Sequence, residues 1–177
     1  MEKYQALKEE LKKNAHQIDS IALDSLTGRA KTLWDAARHY VNAGGKRLRP
    51  FMVRKSYELF DQQFNNVMPI AAAIEILHTF TLIHDDIMDN DEMRRNVKAV
   101  HKKWGLSTAI LAGDVLFAKV FVLVDRASIS ESAKSKISAL LGKTSAQICE
   151  GQMMDMEFES REDVSIEEFL TMIKWKT

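Results

Sequence analysis

The chain has 177 residues, enough for one compact domain. Its 25 Lys+Arg balance 25 Asp+Glu, so no global field recruits nucleic acid or an acidic membrane surface, and anion binding has to come from local clusters. The single cysteine, Cys149, excludes an intrachain disulfide and fits a reducing, cytoplasmic compartment.

Two prolines and seven glycines leave few breaks, and no sustained alternation suggests sheet. Helices are predicted at about 2–18, 22–42, 50–60, 66–91, 106–127, 131–158 and 165–177. The opening "MEKYQALKEELKK" is charged and amphipathic and does not read as a signal peptide. Pro50 suits the first turn of the third helix, and Pro69 lies near the start of the fourth. The apolar run "LSTAILAGDVLFAKVFVLV" carries Asp114 and Lys119 and reads as a buried helix rather than a membrane span. The last helical pattern runs to "FLTMIKWKT" without a stop signal, so the chain reads as if cut.

The fourth helix ends in "HDDIMDND", where four aspartates interrupt an apolar run. Such a cluster repels itself and opposes the helix dipole, so a cation has to compensate it. Asp85 and Asp89 are four apart and share a face, about 6 Å apart along the axis. That spacing suits Mg²⁺, which takes one or two carboxylates plus substrate phosphates. Asp86 points about 100° away and is the weaker candidate, and Asp91 falls beyond the helix. The plainer reading is a solvated helix end. His78 lies within about 40° of both aspartates on the wheel, although a lone histidine on such a helix is more often structural.

Two basic clusters flank this helix. "NAGGKRLRP" (42–50) sets Gly44 and Gly45 before Lys46, Arg47 and Arg49, and "MRRNVK" supplies Arg94 and Arg95. Glycines let amides approach an anion, and Lys and Arg add point charge and bidentate forks. Either cluster alone reads as surface charge. Together with the carboxylates they suit two diphosphates, one held through metal and one by bases alone. No GxxxxGK[ST] loop or βαβ pattern is present.

In order, "GGKRLRP", "LIHDDIMDNDEMRR", "AILAGDVLFA", "GQMMD" and the terminal "KT" resemble the trans-isoprenyl diphosphate synthases, archaeal-type geranylgeranyl diphosphate synthases in particular. "HDDIMD" contains that family's first aspartate-rich motif, DDxxD. The resemblance implies an all-α antiparallel helical bundle around a central cavity. It also implies a prenyltransferase of isoprenoid biosynthesis, which condenses isopentenyl diphosphate with a Mg²⁺-chelated allylic diphosphate. Carried over position by position, Asp85 and Asp89 ligate Mg²⁺. Lys46, Arg49, His78 and Arg95 hold isopentenyl diphosphate. Arg94, Lys176 and Thr177 hold the allylic diphosphate, and Arg94 counts with the two aspartates as catalytic. Gln152 and Asp155 line the site behind these, and Met153, Met154 and Met156 are packing. A homodimer is implied, with 106–127 as the candidate interface.

The resemblance also places an aromatic, Phe80, five residues before the DDxxD, with the small Thr81 beside it, and so favours a C20 product. The family's arginine pair is usually followed by glycine. Here Asn96 follows, and asparagine tolerates left-handed backbone. The family continues past "KT" to a second aspartate-rich motif, so residues 1–177 are expected to be the N-terminal portion of a single synthase domain. The alternative is a noncatalytic or truncated subunit acting with a partner chain.

Overall fold

The computed structural model describes residues 2–176. The chain divides into two compact units, residues 1–129 and 130–177.

The first unit contains α1 (Glu2–Ser25), α2 (Lys31–Asn42), α3 (Leu48–Glu58), a 3-10 turn (Phe64–Val67) and α4 (Met68–Met88). A two-residue antiparallel pair follows, β1 (Met93–Arg94) with β2 (Val97–Lys98), and then α5 (Val100–Trp104) and α6 (Leu106–Asp125). The second unit contains α7 (Glu131–Phe158) and α8 (Ile166–Lys176), packed on each other. The expected all-α class is what the described residues adopt, apart from the small hairpin.

α4 is the centre of the first unit and packs against α1, α3 and α6. Ala71, Ala72 and Ala73 on α4, and Ala109 and Ala112 on α6, are completely buried. Ile76, Ile83, Leu116 and Leu123 fill the space around them, each contributing about 1.5–3 kcal/mol by leaving water. α6 and the segment Phe64–Met88 are each long and apolar enough to cross a bilayer. The expected burial of α6 describes one face only, because Leu106, Ile110, Leu111 and Val122 are exposed.

Several boundaries differ from expectation. α1 runs unbroken to Ser25, where a stop near residue 18 was expected. Ile18, Ala22 and Leu26 recur every fourth residue and are all fully buried, so the apolar stripe carries the helix on. α2 therefore starts at Lys31 rather than residue 22. α4 stops at Met88, short of the expected 91. Asn90 takes φ 54°; its N–H donates to the Ile87 carbonyl (3.3 Å), and that of Asp91 donates to the Asp86 carbonyl (3.0 Å). This is a Schellman stop, with asparagine in the left-handed position. α5 and the hairpin are too short to leave a periodic signature in sequence. The turn residues Arg95 and Asn96 have φ 51° and 63°, as a type I′ hairpin turn requires. Asn96 adopts the left-handed backbone expected of it. α8 opens on a capping box: Ser165 Oγ accepts from Glu168 N–H (3.2 Å), and Glu168 Oε2 accepts from Ser165 N–H (2.9 Å).

Candidate active site

The acidic end of α4 carries two kinds of carboxylate. Asp86 is fully buried. It accepts a hydrogen bond from the Tyr40 hydroxyl, and a charge-assisted one from Arg94 Nε at 2.7 Å. Arg94 Nη2 also donates to Asp91 at 2.9 Å. Burial first, and the Asp86 hydrogen bond second, push the Tyr40 phenol well above its ordinary pKa. Arg94 is raised in turn, chiefly through its own bond to Asp86.

Asp85 is half-buried and Asp89 is exposed. The Asp89 N–H donates to the Asp85 carbonyl at 2.8 Å, so the two stay one helical turn apart although α4 formally ends between them. Among the described residues, no group of three or more His, Cys, Asp or Glu could hold a metal by itself. Two hard oxygen donors one turn apart fit Mg²⁺, which keeps water and phosphate in its remaining positions.

One to two turns toward the N-terminus of α4 lies a basic cluster. Arg49 Nη1 stands 3.5 Å from His78 Nε2. Burial first, and then the charges of Arg49, Arg95, Arg47 and Arg94, lower His78 to about 4, so the imidazole is neutral at pH 7. Arg95 Nη1 donates to the carbonyls of Tyr40 (3.0 Å) and Gly44 (2.5 Å). Arg47 is buried at φ 51° and donates to Asp19 (2.6 Å), Glu75 (2.8 Å), Gly44 O (3.1 Å) and Val41 O (2.8 Å). Glu75 is nearly inaccessible and sits 3.6 Å from Arg95 Nη2. Desolvation raises its pKa, and the two arginines pull it back. A Cβ on Gly45 would meet Arg47 Nη1 at 2.7 Å and Arg95 Cζ at 3.2 Å. Gly45 therefore leaves room for the guanidiniums to close over the backbone, in addition to any approach by an anion. Lys46 and Arg49 are exposed beside this joint.

Phe80 packs its ring on His84 (centroids 4.7 Å) and on Phe117 of α6 (5.2 Å), and Phe117 in turn meets Phe121 (5.4 Å). Thr81 donates to the His78 carbonyl (2.9 Å). A Cβ on Gly113 would run into the His84 ring, so glycine there admits the histidine between α4 and α6.

In the second unit, Lys176 Nζ and the Asp155 carboxylate form an ion pair across α7 and α8. A Cβ on Gly151 would stand 2.5 Å from the Lys176 backbone nitrogen, so this glycine permits the close crossing that joins them. Gln152 is buried, and neither of its amide atoms has a hydrogen-bond partner among the described residues. Thr177, expected to join the allylic site, lies outside the described residues.

On the first unit the structure thus sets Asp85 and Asp89 at the acidic end of α4, with Arg94 bound to the neighbouring Asp86 and Asp91, and gathers Arg49, His78 and Arg95 further back along the helix. Gln152, Asp155 and Lys176 belong to the second unit. Sequence reasoning missed Tyr40, Glu75 and the structural role of Arg47. The available signal was Glu75 itself, an unpaired charge within the apolar run "AAAIEILHTF".

The polyprenyl synthetase family model matches residues 30–177. The chain is 43% identical over 173 residues to a geranylgeranyl diphosphate synthase of Methanosarcina mazei, covering 97% of this chain and 53% of that protein. It is 43% identical over 162 residues to a geranylfarnesyl diphosphate synthase of Natronomonas pharaonis, covering 82% and 47%. The crystal structure of geranylgeranyl pyrophosphate synthetase from Pyrococcus horikoshii superposes with a TM-score of 0.94 at 44% identity, covering 99% of this chain and 54% of that one. This chain belongs to the polyprenyl synthetase family. It spans about half the length of the curated relatives it matches.

Proposed function

We propose that these residues are the N-terminal portion of a single synthase domain. That synthase condenses isopentenyl diphosphate with an allylic diphosphate to a short-chain trans-prenyl diphosphate, C20 favoured. The observation that carries this reading is the division of α4. Asp85 and Asp89 stand one turn apart at its acidic end, and the cluster of Arg49, His78 and Arg95 lies further back along it. That is the charge layout two diphosphates with different needs require.

Asp85 and Asp89 would hold Mg²⁺, which when bound supplies the positive charge that stabilises a departing diphosphate. Arg94 backs the same end, already fixed by Asp86 and Asp91. Lys46, Arg49 and Arg95 bind the second diphosphate as fixed cations, and neutral His78 contributes a hydrogen bond without adding to their mutual repulsion. The apolar wall of α4 and α6 shelters the hydrocarbon tail and keeps water from a carbocation. Phe80, backed by Phe117, forms the floor of the tail cavity with Thr81 beside it. Lys176 and Thr177 hold the allylic diphosphate, with Gln152 and Asp155 behind them; the Lys176–Asp155 pair supports that grouping.

The reading further includes a homodimer through the exposed apolar face of α6. It includes a cytoplasmic location, no membrane span and no nucleic-acid partner, in keeping with the balanced charge. Because the chain covers about half of its relatives, a subunit that acts only with a partner chain is the second reading.

The test is incorporation of labelled isopentenyl diphosphate with Mg²⁺ and an allylic primer, by a full-length synthase carrying these residues and by the 177-residue chain alone. The full-length protein is expected to elongate the primer and the short chain to lack appreciable turnover. An inactive full-length protein would overturn the reading. Equal turnover by both would show that nothing beyond Thr177 is needed.

A further inference from the structure

Tyr40 is completely buried on α2, yet it bonds to three separate segments around the site on the first unit. Its hydroxyl donates to Asp86 and accepts from the Val100 N–H at 3.1 Å, tying the acidic end of α4 to the first residue of α5. Its main-chain carbonyl accepts from Arg95 at 3.0 Å. Asp86 in turn fixes Arg94. The two neighbouring arginines of the hairpin are therefore held by one residue through two chemically separate groups: Arg94 by way of the hydroxyl and Asp86, Arg95 by the carbonyl.

We propose that Tyr40 is a positioning residue whose hydroxyl orders the Asp86–Arg94 pair, and with it the metal-side half of the site, while leaving the isopentenyl diphosphate half untouched. The inference rests on the functional reading above. A buried carboxylate has several rotamers that satisfy one arginine, and the phenol removes that freedom by engaging the second oxygen. Arg94 is then held in one orientation at the end of α4 that carries Asp85 and Asp89. A phenylalanine at this position would keep the ring in the core and keep the carbonyl that receives Arg95. It would delete only the link to Asp86 and Val100.

That asymmetry makes the idea testable by binding to a full-length synthase carrying these residues, with no need for turnover. Two calorimetric titrations are compared in wild type and Tyr40→Phe: a non-ionising thiolo analogue of an allylic diphosphate with Mg²⁺, and isopentenyl diphosphate without Mg²⁺. Tyr40→Phe is expected to weaken the first at least fivefold and to change the second less than twofold. Loss of both to the same degree, or of neither, overturns the proposal, because a merely structural tyrosine would not separate them. Should Tyr40→Phe fail to fold by circular dichroism, Asp86→Asn serves instead. It keeps the side-chain shape and is expected to give the same split, and an equal loss of both ligands refutes the assignment. If the full-length wild type binds neither ligand, the functional reading falls first and this inference falls with it.

Discussion

Arg47 and Arg95 come from different segments and reach the same two acceptors. Both guanidiniums meet the Gly44 carbonyl and approach Glu75, and both residues have φ 51°. Left-handed backbone at a non-glycine residue costs about 1–3 kcal/mol, and it persists only where the surroundings hold it. Here a buried carboxylate and a shared carbonyl do so. Glu75→Gln is therefore expected to leave Arg95 facing a neutral amide and Arg47 balanced by Asp19 alone. A buried ion pair broken from one side costs about 3–5 kcal/mol. Chemical denaturation of wild type and Glu75→Gln measures this, and a difference under about 1 kcal/mol would mean that Glu75 does not hold the joint.

The two halves of the site predict separable kinetics in a full-length synthase. Asp85→Ala should cut turnover strongly, through lost metal-assisted charge stabilisation. Arg95→Ala should raise the Michaelis constant for isopentenyl diphosphate more than that for the allylic substrate. Steady-state kinetics with each substrate varied in turn provides the check. Equal effects of Arg95→Ala on both substrates would refute its assignment.

Under the proposed function, the aromatic contact between α4 and α6 sets product length. Phe80→Ala removes the ring that meets Phe117 and His84, opening room beyond the fourth isoprene unit. The product distribution, read by chromatography of the dephosphorylated alcohols, should shift to longer chains. An unchanged distribution would show that the floor lies elsewhere.

His78 gives stability a defined pH dependence. Its folded-state pKa is depressed from 6.5 to about 4, so the unfolded chain takes up the proton first as pH falls. Its contribution is fully present above pH 6.5 and is lost progressively down to about 4. Allowing for partial exposure, the loss is about 1–3 kcal/mol. His39 shifts in the same direction, so the informative quantity is the difference between wild type and His78→Gln in denaturation at pH 7.5 and pH 5. Parallel pH profiles for the two proteins would contradict the assignment.

What was legible in the sequence is what is written in spacing. Asp85 and Asp89 at i, i+4, and His78 two turns before Asp85, required only a helix, and α4 supplied it. The expected element types came through where runs were long and apolar, as in α4 and α6. Boundaries failed where tertiary packing outweighed local signals: burial of Ile18, Ala22 and Leu26 carried α1 past its expected end. The network behind the site was illegible for a different reason. Tyr40 and Asp86 lie far apart in sequence, and nothing in either neighbourhood points to the other. Hydrogen bonds across such separations leave no periodicity.

The hairpin turn has a consequence for which changes in length this chain can absorb. Arg94 closes β1 opposite Val97, and Arg95 opens the two-residue turn. Adjacent in sequence, the two side chains part company here, one to the aspartates and the other to Glu75 and Gly44. Deleting a single residue between Glu92 and Arg94 would shift this frame by one. It would point Arg95 at the carboxylates and leave the buried joint without its second guanidinium. Substitutions in this segment act on one half of the site at a time, whereas a one-residue deletion takes both arginines from their partners at once.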